Sequence, residues 1–377
     1  MKPANVAIAL VSTTVLAAAV IFGVRMVVRS DEHVYSTALH YRGEIKDGHE
    51  FGLSPDGKAI YVVKNPLNSR VHNSVGFWEV AGLREFAVIT CDNGERNFLG
   101  LQPDNVRALT VSPDGRELAV GGGCGARPGR DSFGESAIQI WNIENRFLIK
   151  TLRIDKFAVY SSIDYSGDGK MIYAVGTSQG RAAVDVWNVA DSRRVARLST
   201  EADGFVTSAA VSESGEYIAT ATGSESGKDG RVAIWDLRTY QRINGFDIHG
   251  IRKFVFHPNG RLLIAGANDS TIQIIDMQSK KTVRRMYVPL QCEHNRIDSI
   301  AVSPDGHTVV GAGYNMPAIF WSTADGKVRH TAPNQCRAND SESGYAGRLA
   351  FSRNGSLFAM QQAGVITLWH HERNPSG

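Results

Sequence analysis

The stretch VRALTVSPDGRELAV, Val106–Val120, sets two apolar runs rich in β-branched residues around the tetrapeptide SPDG. Proline presets φ at the first central position of a turn, Asp or Asn suits the second, and glycine takes the left-handed position after it. Runs of this kind bounded by such a turn predict a β-hairpin. The unit recurs. Turn tetrapeptides stand at Ser54–Gly57 (SPDG), Ser112–Gly115 (SPDG), Ser166–Gly169 (SGDG), Ser212–Gly215 (SESG), His257–Gly260 (HPNG), Ser303–Gly306 (SPDG) and Ser352–Gly355 (SRNG). Their glycines follow one another at 58, 54, 46, 45, 46 and 49 residues. A period of this size marks a solenoid or a propeller and not a string of independent domains.

The tryptophans fix the register of the repeats. Trp78, Trp141, Trp187, Trp235, Trp321 and Trp369 all fall in one slot, in GFWEV, QIWNI, DVWNV, AIWDL, IFWST and TLWHH. They are the only six in the chain, and the remaining repeat carries Ile275 in that slot. A scattered core would not place all six alike, so they are read as structural.

SPDG turns and IWD-type strands at this period resemble the WD-repeat β-propeller family, over about Val34 to His371. The resemblance implies an all-β, seven-bladed β-propeller with four-stranded antiparallel blades around a central channel. The sequence departs from the family in two places. The glycine–histidine pair is missing from most repeats, with only a reversed His249-Gly250, and the aspartate before the third strand is recognisable mainly as Asp269.

Residues 34–371 are thus assigned to the propeller, 29–33 to a short linker and 372–377 to a tail. Residues 1–28 differ in kind. From Val6 to Val24 no charge appears. As a helix this run spans roughly 28 Å, close to the roughly 30 Å of a bilayer core. An N-terminal transmembrane helix is expected, the alternative being a signal peptide cleaved near Ala17-Ala18-Ala19. Lys2 on one side and Arg25 and Arg29 on the other leave the orientation undecided by charge.

In a propeller of this kind the first-to-second and third-to-fourth turns share one face. The second-to-third loops and the blade linkers share the other. The long segments all extend the second face: Asn65–Ser74, Gly121–Glu135, Gly176–Arg181 and Gly223–Arg231 as loops, Cys91–Asn105, Val288–Arg296 and Ala332–Gly347 as linkers. Elaboration on one side of a rigid scaffold is where binding sits; tolerated surface insertion is the alternative. All four cysteines map there. Within this layout Cys91–Cys124 and Cys292–Cys336 join neighbours, so these two disulfides are expected, against the alternative of four free thiols. Disulfides would place the propeller in an oxidising compartment, on the periplasmic or outer side of a cytoplasmic membrane.

Catalytic readings fail on the sequence. Asp164–Gly169 imitates the start of a calcium loop, but Val175 stands where its final glutamate should be. Gly223–Asp229 is one residue short of a phosphate loop and has no Ser or Thr after Lys228. His370-His371 is read as a frayed tail. No enzyme activity, metal or cofactor is expected. A net charge of +3 is too small to argue for nucleic acid.

The expected function is a membrane-tethered, monomeric, non-catalytic protein-interaction scaffold. A patch of Arg127, Arg130 and Arg181, with Arg70 and Arg231 nearby, would hold an acidic protein or peptide, since arginine forks match carboxylates. A solvated mixed surface is the bland alternative. Two other functions stay open: a quinoprotein-associated redox or enzyme-accessory propeller using the channel, and a lectin-like cell-wall module. The second would need loop-face aromatics, and only Phe98, Phe133, Tyr314 and Tyr345 lie near.

The final repeat supplies three strands and then stops. An open edge invites aggregation. The strand-like segment Val34–Arg42 is expected to pair with Val365–Trp369 and complete blade seven. That closure would set the tight-turn face towards the apolar segment.

Overall fold

The computed structural model describes residues 39–64, 74–90, 106–122, 137–153, 158–178, 181–203, 205–223, 230–247, 250–289, 296–313, 316–332 and 346–371. Val6–Val24, Val34 and all four cysteines lie outside them. Among the described residues no helix is long and apolar enough to cross a membrane.

The turn chemistry builds each hairpin. Ser54 is buried; its Oγ accepts from Ala59 N at 2.9 Å and donates to Asp56 Oδ1 at 2.7 Å. Asp56 Oδ1 also accepts from Lys58 N at 3.1 Å, and Gly57 sits at φ 72°. The same set recurs at Ser112/Asp114 and Ser166/Asp168, while Ser352 uses Asn354. The leading serine, more than the proline, is thus the common part. It pairs a backbone N–H that the turn would otherwise bury unsatisfied.

Seven four-stranded antiparallel sheets result. Blade one is Gly48–Leu53, Ala59–Lys64, Ser74–Glu79 and Arg84–Thr90, in that order from the inside out. The inner strands of the other blades are Val106–Val111, Ala158–Tyr165, Phe205–Val211, Ile251–Phe256, Ser299–Val302 and Ala346–Phe351. Seven apolar clusters lie one at each junction between blades. Each takes the slot residue of the following blade, as Trp321 beside Ile272, Ile274 and Met286 of blade five, or Trp369 beside Phe320 and Ala332 of blade six. In blade five Ile275 does this work against Ala219 and Val232.

The slot also carries a distortion. In every blade the pairing of third and fourth strands skips one fourth-strand residue there: Phe86, Ile149, Val195, Ile243, Val283, Arg329 and, in blade seven, Arg42. A bulge of this kind sharpens the local twist, and seven copies give every outer strand the same bend.

The N-terminal strand completes blade seven, and it runs on further than expected. Leu39–Lys46 pairs with Val365–His371, from Leu39↔His371 to Lys46↔Val365; it shares residues 39–42 with the expected segment, whose residues 34–38 lie outside the described ones. Burial explains the extension. The register puts Ile45, 2% exposed, among Phe51, Ile60 and Ile366, whereas Tyr41 is 58% exposed. Gly43, at φ 150°, passes Leu83 so closely that a Cβ would meet its Cδ1 at 2.1 Å. A second correction concerns Gly176–Arg181. It is not a long loop: Met171–Ser178 and Arg181–Asn188 stay paired out to Ser178↔Arg181.

Candidate functional site

The sequence-derived site is only partly covered. Arg70, Arg127 and Arg130 lie outside the described residues, as do Cys91, Cys124, Cys292 and Cys336. Arg181 opens the third strand of blade three and pairs with Ser178; Arg231, in the third strand of blade four, pairs with Thr222. Both therefore stand at the loop-bearing ends of their strands.

The spacing of the strands locates the elaboration. Long insertions fall at residues 65–73 and 123–136 in blades one and two, and in the linkers at 91–105, 290–295 and 333–345. Blades six, seven, one and two are consecutive around the closed ring. Blades three, five, six and seven join their second and third strands across short gaps, as Ala267 to Thr271 and Gln362 to Val365. Most of the long segments thus concentrate in one sector, spanning the closure, while the six residues 224–229 of blade four lie outside it.

The channel is the best described polar feature. Along the inner strands, residues pointing between blades are apolar and buried: Phe51, Leu109, Ile163, Phe254, Ile300 and Leu349. Their neighbours on either side alternate into the channel. Four residues before each turn stand Glu50, Ala108, Ser162, Ser208, Lys253, Ser299 and Arg348; two residues nearer the turn stand Thr110 and Asp164. Charged groups from blades one, three, five and seven meet here.

Arg348 Nη1 donates to Glu50 Oε1 at 2.8 Å and to Leu109 O at 2.7 Å, with its guanidinium 5.9 Å from the centre of the Phe51 ring. Asp164 Oδ1 accepts from Thr110 Oγ1 and from Tyr165 N, each at 3.0 Å. Desolvation still raises the Asp164 carboxyl above its usual range, against the charge of Arg348, the bonds from Thr110 and Tyr165, and the charge of Lys253. Burial, then the charge of Arg348, lowers the Lys253 ammonium, while Glu50 and Asp164 act the other way. Beside Lys253, Arg252 and Arg296 both hold the buried Asp298, at 3.1 and 3.0 Å.

Sequence reasoning missed this cluster. Its members are far apart in the chain, and each sits in a strand that reads as an ordinary apolar run. Among the described residues no three His, Cys, Asp or Glu side chains gather as a metal site would require.

The WD domain, G-beta repeat family profile matches residues 192–236 and 240–276. Each match begins with the outer strand of one blade and ends with the third strand of the next. The sequence repeat is therefore offset from the blade by one strand, and the ring closes at the same offset. WD repeat-containing protein 91 of Xenopus tropicalis is 24% identical over 260 residues, covering 62% of this chain and 34% of that protein. Nuclear distribution protein nudF of Aspergillus niger is 26% identical over 165 residues, 38% of this chain and 35% of its own. Small ribosomal subunit protein RACK1y of Oryza sativa is 30% identical over 141 residues, 36% of this chain and 40% of its own. The chain spans about a third of the length of the first two.

Proposed function

Since this chain is a seven-bladed β-propeller built of WD repeats, we propose that it is a non-catalytic scaffold, holding a protein or peptide partner on its loop-bearing face. The observation that carries this reading is the one-sided sector. All seven turns between first and second strands are tight and alike, while most of the long segments join strand ends on the opposite face of four consecutive blades. A stiff frame with loops displayed on one side suits recognition. The matched relatives support the reading as fellow WD-repeat proteins.

The finer part of the proposal is a tethered scaffold with an acidic partner. The uncharged run Val6–Val24 would anchor it in a cytoplasmic membrane. The pairs Cys91–Cys124 and Cys292–Cys336 would place the propeller outside. Arg127, Arg130 and Arg181, supported by Arg70 and Arg231, would supply forks for carboxylates. Affinity capture from solubilised membranes tests the surface: replacing Arg127, Arg130 and Arg181 with alanine should strip the captured partners without changing thermal stability. An unchanged partner set would overturn the arginine surface. Mass spectrometry of non-reduced peptides tests the compartment, and four alkylatable thiols would overturn it.

A further inference from the structure

Most charges in the channel are matched by the protein itself. Arg348 neutralises Glu50, Arg252 and Arg296 share Asp298, and Asp164 takes two donors. Lys253 is the exception. Among the described residues its Nζ makes neither a hydrogen bond nor an ion pair. A half-buried ammonium without a partner still carries a desolvation cost.

Its surroundings are donors. Ser208 and Ser299, both 4% exposed, occupy the equivalent ring position in the blades on either side. Ser208 Oγ already accepts from Phe254 N at 3.2 Å, which leaves its O–H to give. In the ring order Lys253 therefore stands between two serines, and neither flanking position carries a carboxylate. The acids whose charge reaches it, Glu50 and Asp164, come from blades one and three and are already bonded.

We propose that the channel binds a small oxyanion, a carboxylate or a phosphate, seated on Lys253 between Ser208 and Ser299. Arg348 and Arg252 add field without giving up their own partners. The site stands whether or not the loop face holds a protein. Because the anion would restore the charge that crowding opposes, binding would also keep Lys253 protonated.

The test uses the full chain and amine acylation read by mass spectrometry. Inorganic phosphate and succinate are titrated separately, with sodium chloride at matched ionic strength as the control. Labelling of Lys253 should slow saturably with at least one of the two anions and not with chloride. Lys58 and Lys170, whose side chains are 84% and 79% exposed, should label unchanged. Calorimetric affinity should fall about tenfold or more in Lys253→Met, as loss of a charge-assisted bond implies. Protection by neither anion, equal protection by chloride, or undiminished binding in the variant would overturn the site.

Discussion

Arg197 grips Asp185 through two parallel bonds, Nε to Oδ1 at 2.6 Å and Nη2 to Oδ2 at 2.7 Å. Tyr160 donates its hydroxyl to the same carboxylate, which is 1% exposed, and Arg194 stands 3.7 Å away. The inner, third and outer strands of blade three are thereby tied through one side chain. Burial, then the Asp185 charge, pushes the Tyr160 phenol well above its usual range.

Asp185→Asn keeps the shape and removes the charge that Arg197 grips through both its bonds. The guanidinium is a quarter exposed, so the loss should fall below that of a fully buried pair, at about 2–4 kcal/mol. Urea unfolding at neutral pH measures it. The triple change Asp185→Leu, Arg197→Met and Tyr160→Phe, which also removes the hydroxyl that would lose its acceptor, should recover most of the loss. An Asn variant as stable as the parent would show that the pair is ornamental.

Closure rests on Leu39–Lys46. Ile45→Ala should cost about 2–4 kcal/mol, as buried isoleucines do. Deleting everything before Asp47 should do more, because Val365–His371 becomes an open edge. Light scattering after gel filtration should then find aggregates or strand-exchanged oligomers. A monomer of the truncated chain with full cooperativity of unfolding would contradict the role given to this strand.

The turn aspartates predict a response to acid. Hydrogen bonds, first from Ser112 and Ser166, hold Asp114 and Asp168 below the carboxylate value of 3.8. A depressed folded pKa gives stability that is complete above the unfolded value and lost as pH falls through the folded one. Asn354 already serves in blade seven, so Asp114→Asn with Asp168→Asn should change little at neutral pH. Below about pH 4 its stability should fall less steeply than the parent's. Denaturant midpoints at pH 7, 4, 3 and 2 check this, and parallel curves would refute it.

What could be read from the sequence was local. A Ser-x-Asp-Gly turn bonds within five residues, so its tetrapeptide reports it directly, and the tryptophans advertise their slot. What could not be read depends on distant pairing. Nothing local shows that the closing strand runs on past Arg42 to Lys46; that follows from where Ile45 finds Phe51 and Ile366. Gly176–Arg181 looked like a loop because glycines punctuate it, yet cross-strand partners hold it straight. The bulged residues Phe86 and Ile243 bear no mark in the sequence. Asp185 was visible in DVWNV, but only the fold supplies Tyr160 and Arg197. Glu50, Asp164, Lys253 and Arg348 acquire a common meaning only when the ring brings them together.

The pairing of Leu39 with His371 also orders events at the ribosome. The closing strand is made first, but its partner is made about 330 residues later. At roughly 5–20 residues per second, the wait is on the order of 15–70 s. Through that interval Leu39–Lys46 has no strand to pair with, and the blades already made form an arc that is still open. The final blade is therefore assembled only once Val365–His371 has been made, and any factor that shields an exposed strand during translation would act on Leu39–Lys46.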